Sequence, residues 1–328
     1  MAASHAEVWQ NATVIETTAL TPDTKRICFA VDRPIAIAAG AHVDVRVAIL
    51  GELDRRSYSV VDSSDDGHTL SLAVFKSESS RGGADAMHQL NVGDVIEMSQ
   101  PLLDFPLRSG AEKYVLLAGG IGVTALMEMA RKLKQAGAEY EFIYVGHSRS
   151  VMVYLDRLAN EHGNRLRLFV SDEHRPLDVG NLVSSIAGGT ELYMCGPIRL
   201  MDSVRRAWME AGLPLPDLRF ETFGNSGWHD PQQFIVHIPD QGITAVVGPN
   251  QSMLEALQAA GADMMYDCRK GECGLCEVRI TALEGELDHR DVFYSERQKD
   301  ARGKMCCCVS RAVGMPGAGP AVLSIQPS

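Results

Sequence analysis

The sequence lacks the features of a secreted, membrane-spanning or nucleic-acid-binding protein. No apolar run approaches the ~18 residues that a membrane-spanning helix requires. The first sixteen residues, MAASHAEVWQNATVIE, contain neither a basic nor an apolar segment, so we expect no secretory signal. With 42 acidic against 31 basic residues, the net charge of −11 disfavours binding to nucleic acid or to an anionic membrane. We therefore expect a cytoplasmic protein.

Cysteine is also scarce, with eight residues in 328. The cytoplasm keeps thiols reduced, so a framework of disulfides is not expected. Six of the eight nevertheless lie in two short segments, DCRKGECGLCEV and KMCCCVSRA. In a reducing compartment, such clusters more often bind metal or carry out redox chemistry. The chain is about twice as long as an average domain, which predicts two or three domains.

The spacing of the first cysteine group indicates which metal it binds. Cys268, Cys273 and Cys276 follow the pattern C-x4-C-x2-C, which is the ligand pattern of plant-type [2Fe–2S] clusters. Gly271 and Gly274 let the backbone approach the cluster. A structural zinc site would favour two short C-x2-C groups instead. Chance clustering of buried cysteines is the other alternative, and the charged residues between the cysteines argue against it.

The flanking segments predict a small mixed fold. QFIVHIPDQGITAVVGP has the composition of two short strands around a turn, and NQSMLEALQAAG that of a helix. Asn250 or Ser252 would cap this helix and Gly261 would end it. Two strands, a helix, the cysteine loop and a further strand suggest an α+β β-grasp domain. Residues 233–328 resemble a plant-type ferredoxin.

A [2Fe–2S] cluster transfers single electrons, whereas a nicotinamide transfers a hydride, so one chain linking them needs a flavin. The middle of the chain offers a nucleotide site, because KYVLLAGGIGVTALMEMARKLKQAG predicts strand, glycine turn and helix. Strands and helices alternate over about 110–225, which predicts a doubly wound parallel sheet. An α/β domain that binds no nucleotide remains the alternative.

The first hundred residues contain six short strand patterns and no strong helix, which predicts a closed antiparallel barrel. In RRSYSVVD, the cation of Arg56, the ring of Tyr58 and the hydroxyl of Ser59 share one strand. These three groups suit the phosphate, the ring and the ring edge of a flavin. The alternative is a strand that exposes Arg56 and buries Tyr58.

The motifs RSYS, GGIGVT, CGP, FETFG and C-x4-C-x2-C occur in this order along the chain. In this the sequence resembles the phthalate dioxygenase reductase family, which includes vanillate demethylase reductases. The resemblance implies an FMN-binding barrel over 1–107, an NADH-binding α/β domain over 108–224 and a [2Fe–2S] ferredoxin domain over 233–328. The preference for FMN over FAD comes from the resemblance alone.

The resemblance also implies the site residues. Two departures from the family pattern are Ala84, where the family has serine, and Ala125, where it has proline. No side chain is expected to act as acid, base or nucleophile. The residues implied to bind cofactors are Arg56, Tyr58, Ser59, Val74, Lys76, Arg81, Gly82, Gly83, Gly119, Gly120, Gly122, Thr124, Cys195, Gly196, Pro197 and Phe223. Cys195 and Phe223 would lie near the nicotinamide and the flavin, although a packed core phenylalanine is the alternative for Phe223.

Three adjacent cysteines compete to be the fourth cluster ligand. The spacing typical of a plant ferredoxin favours Cys306, whereas alignment of CVSRA with the family favours Cys308. Treating the segment as an extended strand, we expect Cys306 and Cys308 to share a face and Cys307 to point away. We predict Cys308 as the ligand, with Cys306 second.

The predicted function is that of an enzyme, an NADH-dependent reductase that passes electrons through FMN and [2Fe–2S] to a Rieske non-haem iron oxygenase acting on aromatic compounds. One alternative is a reductase with the same cofactors that serves a cytochrome P450. Another is a ferredoxin-type carrier with an inactive flavin domain. Arg149, which follows the second strand of the nucleotide domain, could instead receive the 2′-phosphate of NADPH.

The encounter with the oxygenase would be transient, and acidic side chains could guide it. Four acids follow the cysteine loop in LEGELDHRD and would form an acidic surface, although a solvated loop without a partner is the alternative. They are Glu284, Glu286, Asp288 and Asp291.

Overall fold

Apolar side chains at alternate positions of the N-terminal strands line a barrel. The computed structural model describes residues 8–49, 51–77, 80–224, 226–315, 317 and 319–327. Val43, Val45 and Val47 are buried in the barrel core because side chains two residues apart share one face of a strand. The barrel strands are β1 (Trp9–Thr21), β2 (Thr24–Val31), β3 (His42–Ile49), β4 (Glu52–Ser63), β5 (Thr69–Phe75) and β6 (Val95–Ser99).

These six strands, taken from the described residues, pair antiparallel in the order β1-β2-β5-β4-β3-β6 and close on themselves. The predicted barrel is therefore confirmed. The sequence did not predict the short helix α1 (Gly83–Gln89), whose Met87 is buried in the barrel core. Seven residues are too few for a clear helical period, so tertiary packing decides this segment.

Strands and helices alternate after the barrel, as predicted. The strands are β7 (Lys113–Gly119), β8 (Tyr140–Gly146), β9 (Leu166–Val170), β10 (Thr190–Cys195) and β11 (Leu218–Glu221). The helices that connect them are α2 (Val123–Gln135), α3 (Leu155–His162), α4 (Val179–Ser184) and α5 (Ile198–Glu210).

In the described part of the chain, these strands form a five-stranded parallel sheet in the order β11-β10-β7-β8-β9. Its first strand, β7, is central, and the later strands lie on both sides of it. The strand order therefore reverses between β7 and β10. Ligands of open α/β sheets bind at such a point, outside the carboxyl ends of the strands. The predicted doubly wound sheet is confirmed.

The chain divides into two compact units. The first unit is Met1–Gly196 with Ala207–Glu221, and it contains the barrel and the parallel sheet. Within it, Arg157 donates from both Nη atoms to the Asp62 carboxylate at 2.8 and 2.7 Å. The rings of Phe105 and Tyr193 lie 5.7 Å apart. A bidentate ion pair and an aromatic contact thus connect the barrel to the sheet.

The second unit is Pro197–Arg206 with Thr222–Ser328. Its strands are β12 (Phe234–Ile238), β13 (Ile243–Val247), β14 (Glu277–Glu284), β15 (Glu286–Asp288), β16 (Lys304–Cys306), β17 (Arg311–Val313) and β18 (Ala321–Pro327), and its short helices are α6 (Met253–Ala259) and α7 (Glu296–Asp300). The main sheet has the order β13-β12-β18-β14-β16. Its central pair, β12 and β18, is parallel, as in the predicted β-grasp fold.

The N-cap of α6 is Ser252, one of the two predicted candidates. Its hydroxyl accepts the Glu255 N–H at 3.1 Å, and the Glu255 carboxylate accepts the Ser252 N–H at 2.8 Å. This capping box explains why Ser252 rather than Asn250 begins the helix. The predicted end, Gly261, has φ of +87°. No helix among the described residues has the length and apolar character needed to traverse a bilayer.

Candidate functional site

Arg56 on β4 lies beside the loop that leads into α1. Its Nη1 donates to Asp54 Oδ2 at 2.5 Å, and its Nη2 donates to the Arg81 carbonyl at 3.2 Å. The side chain occupies the space over Gly83, where an added Cβ would lie 2.6 Å from Arg56 Nε. Gly82 has φ of +83°, a conformation that favours glycine. The structure thus brings together Arg56, Arg81, Gly82 and Gly83.

Ser59 on the same strand has an unused hydroxyl. Its Oγ is buried and has no hydrogen-bond partner within the described residues. Buried hydroxyl groups are normally paired, so this group suits a bound polar ligand. Burial raises the pKa of the Tyr58 phenol above its ordinary value, and Arg56 opposes the shift. The Arg56 side chain is only 16% exposed, so the alternative of a strand that merely exposes this cation is wrong.

Val74 and Lys76 hold α1 against the barrel. His88 Nε2 lies 2.8 Å from the Val74 carbonyl oxygen, and Lys76 Nζ lies 2.7 Å from Asp85 Oδ1. The hydrogen bond from Lys76 is the largest cause that lowers the pKa of Asp85. Ala84, which stands where the family has serine, packs against the barrel core. These contacts therefore fix α1, and with it the preceding Arg81–Gly83 turn, to the barrel.

The glycine turn after β7 contacts the end of β10 backbone to backbone. Gly120 has φ of +54°. A Cβ on Gly122 would lie 2.3 Å from the Cys195 carbonyl oxygen, and a Cβ on Gly196 would lie 3.0 Å from Gly119 Cα. No side chain can be placed at Gly122 or Gly196 without moving the main chain. Gly119, Gly122, Cys195 and Gly196 thus meet where the strand order reverses.

The other residues predicted to bind the nucleotide or the flavin differ in burial and in the unit to which they belong. The Thr124 hydroxyl donates to the Ile121 carbonyl at 2.9 Å and closes the turn. Ala125, which stands where the family has proline, is buried. Pro197 is exposed, and Phe223 is half-buried two residues after β11. Pro197 and Phe223 belong to the second unit, whereas the other predicted flavin and nucleotide residues belong to the first.

The Cys268 sulfur lies in a cradle of backbone N–H groups. Gly271 and Gly274 have φ of +78° and +75°, which turns the peptide N–H groups of the loop inward. Such donors favour the thiolate that binds iron. Three N–H groups donate to Cys268 Sγ, each at 3.4 Å, from Lys270, Glu272 and Cys273. The loop is thus arranged to hold a thiolate even though it is rich in charged side chains.

The same glycines are required by packing. A Cβ on Gly271 would lie 2.9 Å from Asp291 Cα, and a Cβ on Gly274 would lie 2.3 Å from the Phe293 ring. Val292 donates its N–H to the Gly271 carbonyl at 3.0 Å. The cysteine loop is therefore fixed against the segment 291–293.

Cys276 lies beside the three adjacent cysteines. The neighbouring thiols of Cys306, Cys307 and Cys308 favour the charged form of Cys276 and lower its pKa. No three His, Cys, Asp or Glu side chains in the described ranges converge as ligands of a single metal ion. A two-iron cluster bound by four thiolates has its ligands spread over two irons. Cys268 with Cys273, and Cys276 with the cysteine triplet, offer two such pairs.

Cys307 and Cys308 lie in a tight turn after β16, and only Cys306 belongs to the strand. β16 ends at Cys306, whose carbonyl accepts the N–H groups of Val309 and Ser310 at 3.4 and 3.0 Å. The expectation that Cys306 and Cys308 share one face of a strand while Cys307 points away is therefore wrong. In a turn, successive side chains can all approach one sulfur.

Asp291 holds this turn and was not predicted to do so. Its carboxylate is fully buried and accepts the Ser310 hydroxyl and the Tyr294 N–H, each at 3.0 Å. Desolvation raises the pKa of Asp291, but hydrogen bonds from His289 and Tyr294 lower it by more, so the net shift of the pKa is downward. The sequence carried a signal, because DHRD places two acids and two bases side by side, where they can pair.

Burial of two acids corrects the predicted acidic surface. Asp288 is 1% exposed and accepts Arg290 Nη2 at 2.6 Å and the Trp228 N–H at 2.8 Å. Asp291 is likewise buried. Glu284 is exposed and Glu286 is half-buried. The predicted surface of four carboxylates is therefore wrong for Asp288 and Asp291, which are structural.

Family models match three successive parts of the chain. The model described as an oxidoreductase FAD-binding domain matches residues 11–106. The model for the N-terminal domain of dimethylamine monooxygenase subunit DmmA-like proteins matches 98–217. The model for a 2Fe-2S iron-sulfur cluster binding domain matches 236–313. The first match includes Arg56 and Ser59, and the last match includes the cysteine loop and the three adjacent cysteines.

Two curated relatives match most of the chain. A carnitine monooxygenase reductase subunit from Acinetobacter baumannii is 33% identical over 95% of this chain and 98% of its own length. The phthalate dioxygenase reductase of Burkholderia cepacia is 30% identical over 84% of each chain.

Two solved structures are also similar. A phthalate dioxygenase reductase, described as a modular structure for electron transfer from pyridine nucleotides to [2Fe–2S], has a TM-score of 0.71 and 26% identity over 96% of this chain and 98% of that one. An intact type IV self-sufficient cytochrome P450 monooxygenase has a TM-score of 0.66 and 34% identity over 97% of this chain. The chain spans 41% of the length of that monooxygenase.

We predict that Gly122→Ala disrupts the carboxyl edge of the parallel sheet. The new Cβ would overlap the Cys195 carbonyl, so β7 or β10 has to move. Gly120→Ala is the matched control, because its Cβ would meet no atom within 4 Å and the left-handed backbone alone costs about 1–2 kcal/mol. The melting temperature and the affinity for ADP should both fall more in Gly122→Ala than in Gly120→Ala. Equal effects of the two substitutions would contradict the backbone contact.

Proposed function

Because the chain belongs to the phthalate dioxygenase reductase family, we propose that it transfers electrons from NADH, through FMN and a [2Fe–2S] cluster, to a Rieske-type oxygenase that acts on an aromatic compound. Family membership confirms the resemblance drawn from the sequence and the class of flavin and iron–sulfur oxidoreductase. The observation that carries the proposal is the thiolate cradle at Cys268, which occurs in one chain with a flavin-type barrel and a nucleotide-type sheet.

Bound flavin would convert the two-electron supply of NADH into single electrons, and the cluster would deliver them one at a time. The residues of the first unit fit the flavin. Arg56 supplies a fixed cation for a phosphate beside the glycine turn, and the Ser59 hydroxyl supplies the unpaired polar group. Asp54 accepts a hydrogen bond from Nη1 of Arg56, while Nη2 of Arg56 donates to the Arg81 carbonyl in the turn. The resemblance favours FMN.

We predict that Arg56→Ala lowers flavin occupancy more than Ser59→Ala does. A charge-assisted contact with a phosphate is roughly twice as strong as a neutral hydrogen bond. Flavin released by acid from each purified variant should be quantified and identified by chromatography. Equal occupancy in the two variants would contradict the assigned role of Arg56, and stoichiometric FAD in the wild type would contradict FMN.

We assign the cluster to Cys268, Cys273, Cys276 and Cys308. Alignment of the segment CVSRA with the family supports Cys308 as the fourth ligand. Cys308 lies in the turn that follows β16, and its thiol interacts with Cys276.

We predict that Cys308→Ser abolishes the native [2Fe–2S] signal and cytochrome c reduction, but leaves NADH-dependent ferricyanide reduction intact. Ferricyanide accepts electrons from reduced flavin, whereas cytochrome c reports electrons that leave by the cluster. Cys306→Ser is the matched control and should retain the cluster and both activities. Loss of the cluster in Cys306→Ser alone would transfer the assignment to Cys306.

The same assays distinguish an electron carrier without a working flavin domain. Such a carrier would oxidise NADH with neither acceptor. We expect a functional flavin reductase to retain three features that this chain has. They are the fixed cation of Arg56, the unpaired Ser59 hydroxyl and the contact of the glycine turn with Cys195.

The acceptor is the second part of the proposal. The reductases of the carnitine monooxygenase and phthalate dioxygenase systems support an oxygenase partner. A cytochrome P450 is the second candidate, because a self-sufficient P450 monooxygenase contains a similar reductase segment. We propose a transient encounter in the cytoplasm. The three functional segments would be 1–107, 108–224 and 233–328.

We predict that the protein with NADH supports turnover of a Rieske oxygenase with an aromatic substrate. Product should be quantified against NADH consumed, with Cys308→Ser as the control that cannot pass electrons onward. A bacterial P450 should be assayed in parallel. Coupled product formation with the P450 and none with any Rieske oxygenase of a broad panel would overturn the Rieske assignment while leaving the reductase function intact.

A further inference from the structure

Two loops at the carboxyl edge of the parallel sheet lie side by side. One follows β8 and the other follows β9. The Asp172 N–H donates to the His147 carbonyl at 3.0 Å, which fixes the second loop against the first. This contact brings Arg149 and Glu173 together although they are 24 positions apart.

Arg149 and Glu173 form a bidentate ion pair. Arg149 Nε donates to Glu173 Oε1 at 2.5 Å, and Arg149 Nη2 donates to Glu173 Oε2 at 3.2 Å. Two parallel N–H groups of the guanidinium match the two carboxylate oxygens, so the pair uses two donors of Arg149 and both oxygens of Glu173. The Arg149 hydrogen bonds lower the pKa of Glu173, and both groups are charged at neutral pH.

The pair lies where a dinucleotide is distinguished by its 2′ substituent. β8 is the neighbour of β7, and β7 leads into the glycine turn at which a pyrophosphate would bind. In doubly wound sheets, the ribose of the adenosine extends from that turn towards the end of the next strand. There an acidic side chain receives a 2′-hydroxyl, or an arginine receives a 2′-phosphate. Here the two kinds of side chain stand together and are paired.

We propose that Glu173 sets the preference for NADH by occupying the guanidinium of Arg149. A 2′-phosphate would have to displace the carboxylate from Arg149 and would remain beside its negative charge. A 2′-hydroxyl is neutral, so it can bond to the carboxylate without breaking the pair. The inference rests on the proposed nucleotide function and names the residue that selects between the two nucleotides.

The deciding variant is Glu173→Gln, which keeps the size of the side chain and removes its charge. kcat/KM with NADPH should rise by about 10-fold, and kcat/KM with NADH should change by less than about 3-fold. Binding of 2′,5′-ADP relative to ADP, measured by calorimetry, should shift in the same direction. This second measurement does not depend on flavin or cluster loading.

The double variant Arg149→Ala/Glu173→Gln should lose the gain with NADPH and with 2′,5′-ADP. Arg175 also acts electrostatically on Glu173, and a gain that persists in the double variant would mean that a cation other than Arg149 receives the phosphate. That result would overturn the proposal. An unchanged ratio of NADPH to NADH in Glu173→Gln would overturn it as well.

Glu141→Gln is the matched control. Glu141 pairs with Arg167 on the same sheet, but it is the second residue of β8, so this pair lies at the amino edge of the sheet. Its removal should leave both nucleotide ratios unchanged. A wild-type protein that binds and oxidises neither nucleotide would refute the proposed function, and this inference with it. A wild-type protein that prefers NADPH would refute this inference and the choice of NADH as donor, but it would leave the proposed reductase function intact.

Discussion

The contact between the main chains of Gly122 and Cys195 determines how closely β7 and β10 approach at their carboxyl ends. With an added Cβ only 2.3 Å from the Cys195 carbonyl oxygen, this approach is open to glycine alone. The strand order reverses at the same point, so the closest approach of two strands and the opening of the crevice coincide. The loops after β8 and β9 extend from this edge, and their hydrogen bond aligns Arg149 with Glu173. The positions of the charged side chains in these loops therefore depend on the backbone contact between β7 and β10.

The second unit uses buried charge where the first uses close backbone contact. Asp291 is fully buried, yet its oxygens accept hydrogen bonds from two segments that border the cysteines. Removing one partner of such a group leaves an unpaired buried charge, which is strongly destabilising. Asp288 plays a similar part between Arg290 and the main chain of Trp228. The cysteine turn is thus set by interactions outside the cysteine motif itself.

Local patterns in the sequence predicted most of the fold. Six short strand patterns in the first hundred residues predicted the barrel, and Ser252 was one of the two N-cap candidates that the sequence offered. The helix α1 was missed because its seven residues are stabilised by packing on the barrel. Of the site, the glycine turns and the C-x4-C-x2-C loop were visible because their residue types and spacings are local.

Contacts between distant positions could not be predicted. The turn after Cys306 was taken for a strand, since it is fixed by Asp291 and Ser310, which are 19 positions apart. The burial of Asp288 depends on a partner 60 positions away. The pairing of Arg149 with Glu173 requires two loops to meet. Each of these features depends on which segments the topology places side by side, and residue composition carries no record of that.

The crowding of thiols around Cys276 has a consequence for the assembly of the protein. The thiols of Cys306, Cys307 and Cys308 all favour the thiolate of Cys276. A thiolate next to other thiols is the arrangement in which an oxidant removes two electrons and joins two sulfurs. Such a bond would consume a ligand before iron arrives. The turn that places several thiols beside Cys276 also exposes them to a common oxidation, so cluster insertion and thiol oxidation compete for the same sulfur atoms.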